Sequence, residues 1–208
     1  MKVEVISFDI DGTLVEQKFN DIIWEHEIPL QVAESKGWDF EKAKGYCTSE
    51  YQKLGDRDLR WYDIEYWLKR FGIETPAIEI LRKWEKSIRV YPDVSTTLRK
   101  LAKSGFRLIV ITCMPRIFLK EKIHRFDSFF EKVFSTISDF KKVKSPDVYR
   151  HIAGEILTEP ASILHVGDHP MLDYEFSRQA GYRSILIERE GKSHPESIQN
   201  LGDIFSYL

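Results

Sequence analysis

Two aspartates near the start of the chain, Asp9 and Asp11, directly follow a short apolar run at residues 3–8 and precede a Gly-Thr pair. An apolar run of this kind predicts a buried strand. Two negative charges crowded at the end of a buried strand are costly unless a cation shares them. Carboxylate oxygens suit Mg²⁺, and open α/β sheets bind their ligands at the carboxyl ends of the strands. The segment therefore predicts a magnesium site that faces an anionic substrate.

A turn and a calcium loop are the alternatives for the same residues. A strand followed by an Asp-Gly turn is common in β-hairpins, so these residues alone leave a hairpin open. A calcium loop needs a further acidic or amide side chain before its glycine and a glutamate at its twelfth position. Ser7 stands two residues before Asp9, and Asn20 stands where the closing glutamate would be, so neither requirement is met.

Length and charge limit the class of protein. A chain of 208 residues fits one domain, or one domain with a modest insertion. The formal net charge of −2 gives no general attraction to nucleic acid or to an acidic membrane surface. The basic cluster at residues 141–144 is interpreted as a solvated loop. We therefore expect a small-molecule partner and neither a nucleic-acid nor a membrane partner.

The two cysteines, Cys47 and Cys113, lie far apart and lack C-x-x-C spacing. This pattern argues against a zinc site or a disulfide framework, and it fits a reducing cytosol. The first residues enter a strand directly, so a signal peptide is not expected, and no apolar run approaches the length of a membrane span. The expectation is a cytoplasmic protein, either a monomer or a homodimer.

Residues 16–88 have helical periodicity and almost no strand signal. A first amphipathic stretch begins at Phe19 and is predicted to be interrupted near Pro29. A second is capped by Asp58 and ends before Gly72, and a third starts at Pro76. All five tryptophans lie in this segment. Aromatic residues at helical spacing favour a core role over contact with a ligand.

After residue 88 the pattern changes to alternating helices and strands. Strands are predicted at 107–112, 131–135, 162–167 and 183–187, and helices at 94–103, 116–125, 145–157 and 171–180. Such alternation predicts right-handed crossovers and a parallel sheet that is covered on both faces. The expected fold class is α/β, a doubly wound parallel sheet formed by residues 1–15 and 89–208. The helical segment 16–88 is then an inserted cap over the carboxyl end of the sheet.

Three further groups of polar residues follow the later predicted strands. Thr112 follows the strand at 107–112, Lys144 precedes a helix that starts with proline, and Asp168 and Asp173 follow another buried strand. Each has an ordinary structural explanation, such as a helix cap for Thr or Asp and a solvated loop for lysine. All of them nevertheless fall at carboxyl ends of parallel strands or in adjoining loops, where one site can collect them.

This combination resembles the haloacid dehalogenase-like hydrolase superfamily, whose members are mostly phosphatases. The resemblance covers nearly the whole chain, in the family's order, and lies in residues 8–14, 109–112, 144–146 and 165–173, with 16–88 similar to the family's four-helix cap. Two departures stand out. The third motif usually reads Lys-Pro-x-Pro, and here it reads Lys144-Ser145-Pro146, so Lys142 stays an alternative. Cys113 replaces an asparagine that many relatives have, although its backbone N–H can still serve.

The resemblance implies roles for the paired aspartates. Asp9 would be the nucleophile that forms an aspartyl-phosphate, and Asp11 would serve as general acid and base. Gly12 would allow the turn that brings both side chains into the site. Mg²⁺ would be held by Asp9, by the backbone carbonyl of Asp11 and by Asp168.

The remaining motif residues would bind the substrate's phosphate. The resemblance implies that Thr112, the Cys113 backbone and Lys144 bind the phosphate oxygens. Asp173 would act through a metal-bound water or by orienting Lys144. The implied activity is that of a Mg²⁺-dependent phosphatase for small phosphorylated metabolites.

Specificity and reaction type are less constrained. Lys53, Arg57 and Arg60 are expected to meet a small anionic or hydroxylated substrate, and a solvated helix face is the alternative. Asp11 favours ester hydrolysis over dehalogenation, because a halide leaves without a proton. A sugar phosphomutase and a non-enzymatic phospho-ligand binding module remain as further alternatives.

Overall fold

The computed structural model describes residues 2–191 and 194–208. Five parallel strands form one sheet in the order β3-β2-β1-β4-β5. The strands are β1 (Val5–Phe8), β2 (Arg107–Thr112), β3 (Lys132–Ser135), β4 (Ile163–Gly167) and β5 (Arg183–Leu186). The predicted α/β fold with a parallel sheet is confirmed.

The central strand β1 places the paired aspartates in the middle of the sheet edge. All four of its residues are buried, and Phe8 lies level with Val110 of β2 and Val166 of β4. The ladder continues one residue further, where the Asp9 N–H donates to the Val166 carbonyl at 2.9 Å. Asp9 therefore leaves the sheet between the ends of its two neighbouring strands.

The described regular structure of residues 16–88 is entirely helical. Its helices are α1 (Lys18–Asp21), α2 (Ile28–Lys36), α3 (Phe40–Leu54), α4 (Ile64–Phe71) and α5 (Ala77–Trp84), with a π-helical turn at Ile22–Glu27 and 3₁₀ turns at Leu59–Tyr62 and Glu85–Ser87. An isolated antiparallel bridge joins Val15 to Val90, where the chain leaves and re-enters the sheet region. Division into two domains at these points stays a prediction.

Three details of this helical segment differ from expectation. Pro29 does not interrupt the first helix, because it lies in the first turn of α2, where a backbone N–H is not needed. Asp58 caps only the 3₁₀ turn, and Asp63 caps α4 by accepting the Glu65 N–H at 3.0 Å. Helix α3 was not separately predicted, because its buried face consists of small or charged residues, namely Ala43, Cys47 and Glu50.

Helices cover both faces of the sheet. They are α6 (Val94–Lys103), α7 (Arg116–Ile123), α8 (Thr136–Phe140), α9 (Pro146–Glu155) and α10 (Phe176–Gln179), with a π-helical turn at Pro170–Glu175 and 3₁₀ turns at Asp127–Phe129, Pro160–Ser162 and Leu201–Tyr207. One apolar cluster joins Phe8 to Phe19 and Trp67 of the helical segment 16–88. A second joins Ile109 to Tyr149 on α9. In the described part of the chain, no helix combines the length and apolar character needed to cross a bilayer.

Candidate active site

A tight turn after β1 directs Asp9 and Asp11 toward the same cavity. The Leu14 and Val15 N–H groups donate to the Ile10 carbonyl at 2.8 and 2.9 Å. Gly12 has a φ of +67°, which side-chain-bearing residues rarely adopt, and a Cβ there would lie 2.2 Å from Asp168 Oδ2. Glycine is thus required both for the backbone conformation and for the close approach of Asp168, in keeping with its expected role in the turn.

Lys144 forms ion pairs with both Asp9 and Asp173. Its Nζ lies 2.5 Å from Asp9 Oδ1 and 2.5 Å from Asp173 Oδ1, and its side chain is buried. Burial alone would lower the pKa of Lys144, but Asp173 and Asp9 together raise it well above its usual value. Lys142 is exposed, so the structure brings Lys144 and not Lys142 into the cavity.

Asp173 is held by a network that the sequence did not reveal. Its Oδ1 lies 3.1 Å from His165 Nε2 and 3.4 Å from the Tyr149 hydroxyl, and its Oδ2 accepts the His169 N–H at 3.0 Å. Burial tends to raise the pKa of Asp173, but Lys144 and His165 outweigh it and hold that pKa below the usual range. The carboxylate is therefore fixed in orientation and ionised.

Three carboxylates converge where a cation could bind. Oxygens of Asp9, Asp168 and Asp173 all lie within 4.8 Å of one another. Burial, followed by repulsion from neighbouring carboxylates, raises the pKa of Asp168 to about 8, and burial with repulsion from Asp173 raises that of Asp9 to about 6 although Lys144 opposes it. Crowded carboxylate oxygens of this kind suit Mg²⁺, so the donor set fits the expected metal.

Asp11 has its own pair of partners, which the sequence also did not reveal. Its Oδ1 accepts from Lys122 Nζ at 2.5 Å and its Oδ2 from Asn20 Nδ2 at 2.7 Å, and Lys122 also donates to Asn20 Oδ1 at 2.6 Å. Lys122 is fully buried, and this burial lowers its pKa even though Asp11 opposes the effect. One signal was present, since Lys122 follows buried Phe118 and Leu119 of α7 by four and three residues.

The carboxyl end of β2 contributes Thr112 to the site, and Cys113 follows it directly. Thr112 is buried, and its Oγ1 accepts the Met114 N–H at 3.2 Å. The Cys113 sulfur accepts the Lys144 N–H at 3.3 Å, and burial raises the pKa of its thiol. Both residues line the cavity, as their proposed role in phosphate binding requires.

The cavity has a volume of about 290 Å³. Lining it are Asp9, Asp11, Gln17, Asn20, Trp24, Trp61, Tyr62, Thr112, Cys113, Met114, Pro115, Phe118, Lys144, Asp168, His169, Leu172 and Asp173. Lys53, Arg57 and Arg60 are not among these residues. Lys53 pairs instead with Glu50, and Arg60 with Asp58, on exposed parts of the cap segment. The side chains of segment 16–88 that reach the cavity are the amides of Gln17 and Asn20 and the aromatic rings of Trp24, Trp61 and Tyr62.

Residues 3–181 match the family model of the haloacid dehalogenase-like hydrolases. The chain belongs to this family. The predicted family, and with it the enzyme class of hydrolase, is thereby confirmed. The family assignment covers both paired aspartates, Lys144 and the carboxylates after β4.

Curated relatives carry phosphatase names. The GMP/IMP nucleotidase YrfG of Escherichia coli is 26% identical over 53% of this chain, and the match spans only 48% of the nucleotidase. The putative pyrophosphatase PpaX of Caldanaerobacter subterraneus is 26% identical, with 90% of this chain and 83% of that protein covered. These names agree with the expectation of a hydrolase that acts on phosphorylated compounds.

A solved structure shares the fold over the full length. The HAD phosphatase from Thermococcus onnurineus superposes with a TM-score of 0.88, covering 99% of this chain and 98% of that one. Its sequence identity is 23%, so the likeness bears on the fold alone. Both the sheet and the helical segment between β1 and β2 are included in the match.

Proposed function

We propose that this protein is a Mg²⁺-dependent phosphatase that hydrolyses small phosphorylated metabolites through an aspartyl-phosphate on Asp9, with residues 16–88 as its cap. The observation that carries the proposal is the pairing of Asp9 with Lys144 beside a second carboxylate, Asp11, which two donors orient. A nucleophile, a fixed cation and a separately held acid–base group are the parts that phosphoryl transfer from an ester requires.

The first half-reaction transfers the phosphoryl group to the protein. An Asp9 oxygen attacks phosphorus, and the bond from phosphorus to the ester oxygen breaks. The departing oxygen takes a proton from the Asp11 carboxyl group, so the alcohol leaves neutral. Lys144, which is paired with Asp9, and Thr112, which lines the same cavity, stabilise the negative charge on the non-bridging oxygens.

The second half-reaction returns the phosphoryl group to water. Asp11, now ionised, takes a proton from a water molecule as the water attacks phosphorus, and the bond to Asp9 breaks to release phosphate. The two hydrogen bonds that Asp11 accepts suit this ionised state. Mg²⁺ would be held by Asp9 and Asp168, with Asp173 beside them, and would supply positive charge next to the phosphate.

Asp11 also decides between ester hydrolysis and dehalogenation. A halide leaves as a stable anion and needs no proton, whereas an alkoxide needs one in the transition state. A carboxylate that lines the cavity and is held by Lys122 and Asn20 is an acid–base device that dehalogenation would not use. The geometry therefore supports the phosphatase over the dehalogenase.

The direct test replaces the nucleophile. Asp9→Asn keeps the size of the side chain but cannot attack phosphorus, so turnover of an aryl phosphate should fall by at least about 10⁴-fold with the fold intact by circular dichroism. Acid-quenched wild type given a labelled phosphate ester should carry one labelled phosphate on Asp9. Activity of the variant within tenfold of wild type would refute the assignment.

A second variant tests the acid–base role. Asp11→Asn should slow alkyl phosphate hydrolysis by about 10²–10⁴-fold and slow nitrophenyl phosphate cleavage much less, because nitrophenolate leaves without a proton. Phosphorylated Asp9 should accumulate with the aryl substrate, since water is no longer activated. Equal, small losses on both substrates without accumulation would make Asp11 a structural residue.

A further inference from the structure

The cap presents aromatic rings to the cavity where a charged recognition residue was expected. Trp24 from the π-helical turn of the cap and Trp61 and Tyr62 from its 3₁₀ turn line the cavity, and Phe118 of α7 adds a fourth ring. We infer that the natural substrate is a phosphate monoester whose leaving group carries a flat apolar ring and no second negative charge. This inference rests on the phosphatase function proposed above.

The two tryptophans form one wall of the cavity and are only partly buried, although Trp24 also packs against the main apolar cluster. Trp24 and Trp61 line the active-site cavity and also a second cavity of about 450 Å³ in the cap. By contrast, Trp67 is only 1% exposed and packs against Tyr51 and Phe71, with ring centroids 4.7 and 5.5 Å away. Trp24 and Trp61 thus keep ring surface that a ligand can cover.

One of these rings is held in a fixed orientation. Trp24 stacks on Phe118 with centroids 5.8 Å apart and planes 17° apart, and Phe118 is buried. Tyr62 is anchored as well, because its hydroxyl donates to the Asp56 carbonyl at 3.0 Å. A rigid aromatic surface favours a flat apolar group, since offset or edge-to-face contact adds to the burial of apolar area.

The charge of the cavity excludes a second anionic group. Among the described residues that line it, Lys144 is the only lysine or arginine, against four aspartates. Lys144 is already engaged by Asp9 and Asp173. The Nδ1 atom of His169 is engaged as well, because it accepts the N–H groups of Met171 and Leu172.

Lys144 and the proposed Mg²⁺ both serve the phosphate that is transferred. A carboxylate or another phosphate on the leaving group would therefore bury an unpaired charge, which is costly. The volume of about 290 Å³ also lies at the small end of ligand sites, so the apolar part of the substrate is limited to a small ring system. Together, the rings, the charges and the volume define one substrate class.

The test compares three phosphate esters on the full chain with Mg²⁺. Benzyl phosphate and ethyl phosphate release alcohols of similar basicity, so their chemical steps are comparable, and phosphoglycolate adds a carboxylate. We expect kcat/KM for benzyl phosphate to exceed that for ethyl phosphate by about tenfold, mainly through KM, because ring contacts of this kind have that magnitude. Phosphoglycolate should be the poorest of the three.

Matched variants test whether the tryptophan wall causes the preference for benzyl phosphate. Trp61→Leu should lower the benzyl-to-ethyl ratio of kcat/KM by about tenfold, and this ratio does not depend on the fraction of folded protein. Trp38→Leu is the control, because Trp38 packs against Tyr46 and lines neither cavity. Trp61→Arg should raise hydrolysis of phosphoglycolate relative to benzyl phosphate, since it supplies the missing cation.

The outcomes separate the two proposals. Comparable kcat/KM for all three esters, or an unchanged ratio in Trp61→Leu, would overturn the substrate class while leaving the phosphatase in place. Absence of hydrolysis for all three esters, together with absence of phosphorylated Asp9, would instead refute the proposed function.

Discussion

Two buried lysines contact the two aspartates that follow β1, and the surroundings of these lysines differ in one respect. Lys144 lies between two carboxylates, those of Asp9 and Asp173, whereas Lys122 meets one carboxylate, Asp11, and the amide of Asn20. The pKa of Lys144 is raised well above its usual value, and burial lowers the pKa of Lys122. Both side chains are fully enclosed, so the number of carboxylate neighbours decides the direction of the shift.

The difference also separates two tasks. Lys144 lines the cavity, where its fixed charge can meet a phosphate oxygen. Lys122 does not line it and reaches the chemistry only through the Asp11 carboxylate. We therefore expect Lys144 to act on the substrate and Lys122 to act as a positioning residue for the acid–base group.

The largest effect should come from Lys144→Met. Loss of the ammonium removes a donor to the transferring phosphoryl group and leaves Asp9 and Asp173 to repel each other, so kcat should fall by about 10²–10³-fold. Lys142→Met is the matched control, because Lys142 is exposed two residues earlier, and its activity should stay within twofold of wild type. Steady-state kinetics on one ester decide the outcome. A larger loss in the Lys142 variant would reverse the assignment of the motif lysine.

Lys122→Met should have a smaller effect that depends on the leaving group. A misplaced Asp11 should slow alkyl phosphate hydrolysis by about tenfold to a hundredfold and nitrophenyl phosphate cleavage by less than threefold. Lys120→Met on the exposed face of the same helix serves as the control. A merely structural Lys122 would reduce both rates equally. That result would remove the distinction between the two lysines.

The effects of Mg²⁺ and of pH on stability test the role of Asp168, the carboxylate that has no lysine partner. The pKa of Asp168 is raised from 3.8 to about 8, and that of Asp9 from 3.8 to about 6. At pH values between the usual and the raised pKa, these two groups hold more protons in the folded metal-free chain than in the unfolded chain. The stability of the metal-free protein should therefore fall as pH rises from about 4 to about 8. Saturating Mg²⁺ should raise Tm by about 5 to 10 °C at pH 8 and by much less at pH 5. Asp168→Asn should weaken this dependence, and equal Mg²⁺ shifts at both pH values would contradict it.

The smallest effect concerns a lysine–carboxylate pair in the cap, far from the chemistry. Glu27 is buried and accepts from Lys83 at 2.8 Å and from Trp84 Nε1 at 2.8 Å. Burial opposes ionisation, but these donors lower its pKa, so its contribution is present at neutral pH and is lost as pH falls below about 4. Glu27→Gln should cost about 2 kcal/mol of unfolding free energy at pH 7 and less at pH 3. The exposed Glu79→Gln on the same helix as Lys83 is the control for denaturant titrations.

The sequence predicted the sheet well because buried parallel strands are continuous apolar runs. The strands end within one residue of their predicted limits, and α6 has its predicted bounds, Val94–Lys103. The cap was predicted less completely. Helix α3 buries Ala43, Cys47 and Glu50, which leave little amphipathic signal, and Asp58 and Asp63 are equally good caps by residue type.

The predictions for the candidate site were also correct for some residues and wrong or missing for others. Asp9, Asp11, Lys144, Asp168 and Asp173 follow strands or loops at the carboxyl edge, so topology alone brings them together. Lys122 was missed because it lies inside a helix directly after the charged residues Lys120 and Glu121, and only the packing of α7 shows which face is buried. Lys53, Arg57 and Arg60 were chosen for their charge, but the turn at Leu59–Tyr62 directs aromatic side chains to the cavity instead.

The central position of β1 has a consequence for the nascent chain. Val5 pairs with Arg107 on one side and with Ile163 on the other, so β1 is synthesised before both of its neighbours in the sheet. At ribosomal rates, roughly ten to thirty seconds separate synthesis of β1 from that of β4. During this interval at least one edge of an apolar strand lies unpaired and open to association with other chains. Asp9 and Asp11 directly follow it, and charged residues that flank an apolar strand oppose aggregation, so the two carboxylates protect the chain before there is any site for them to serve.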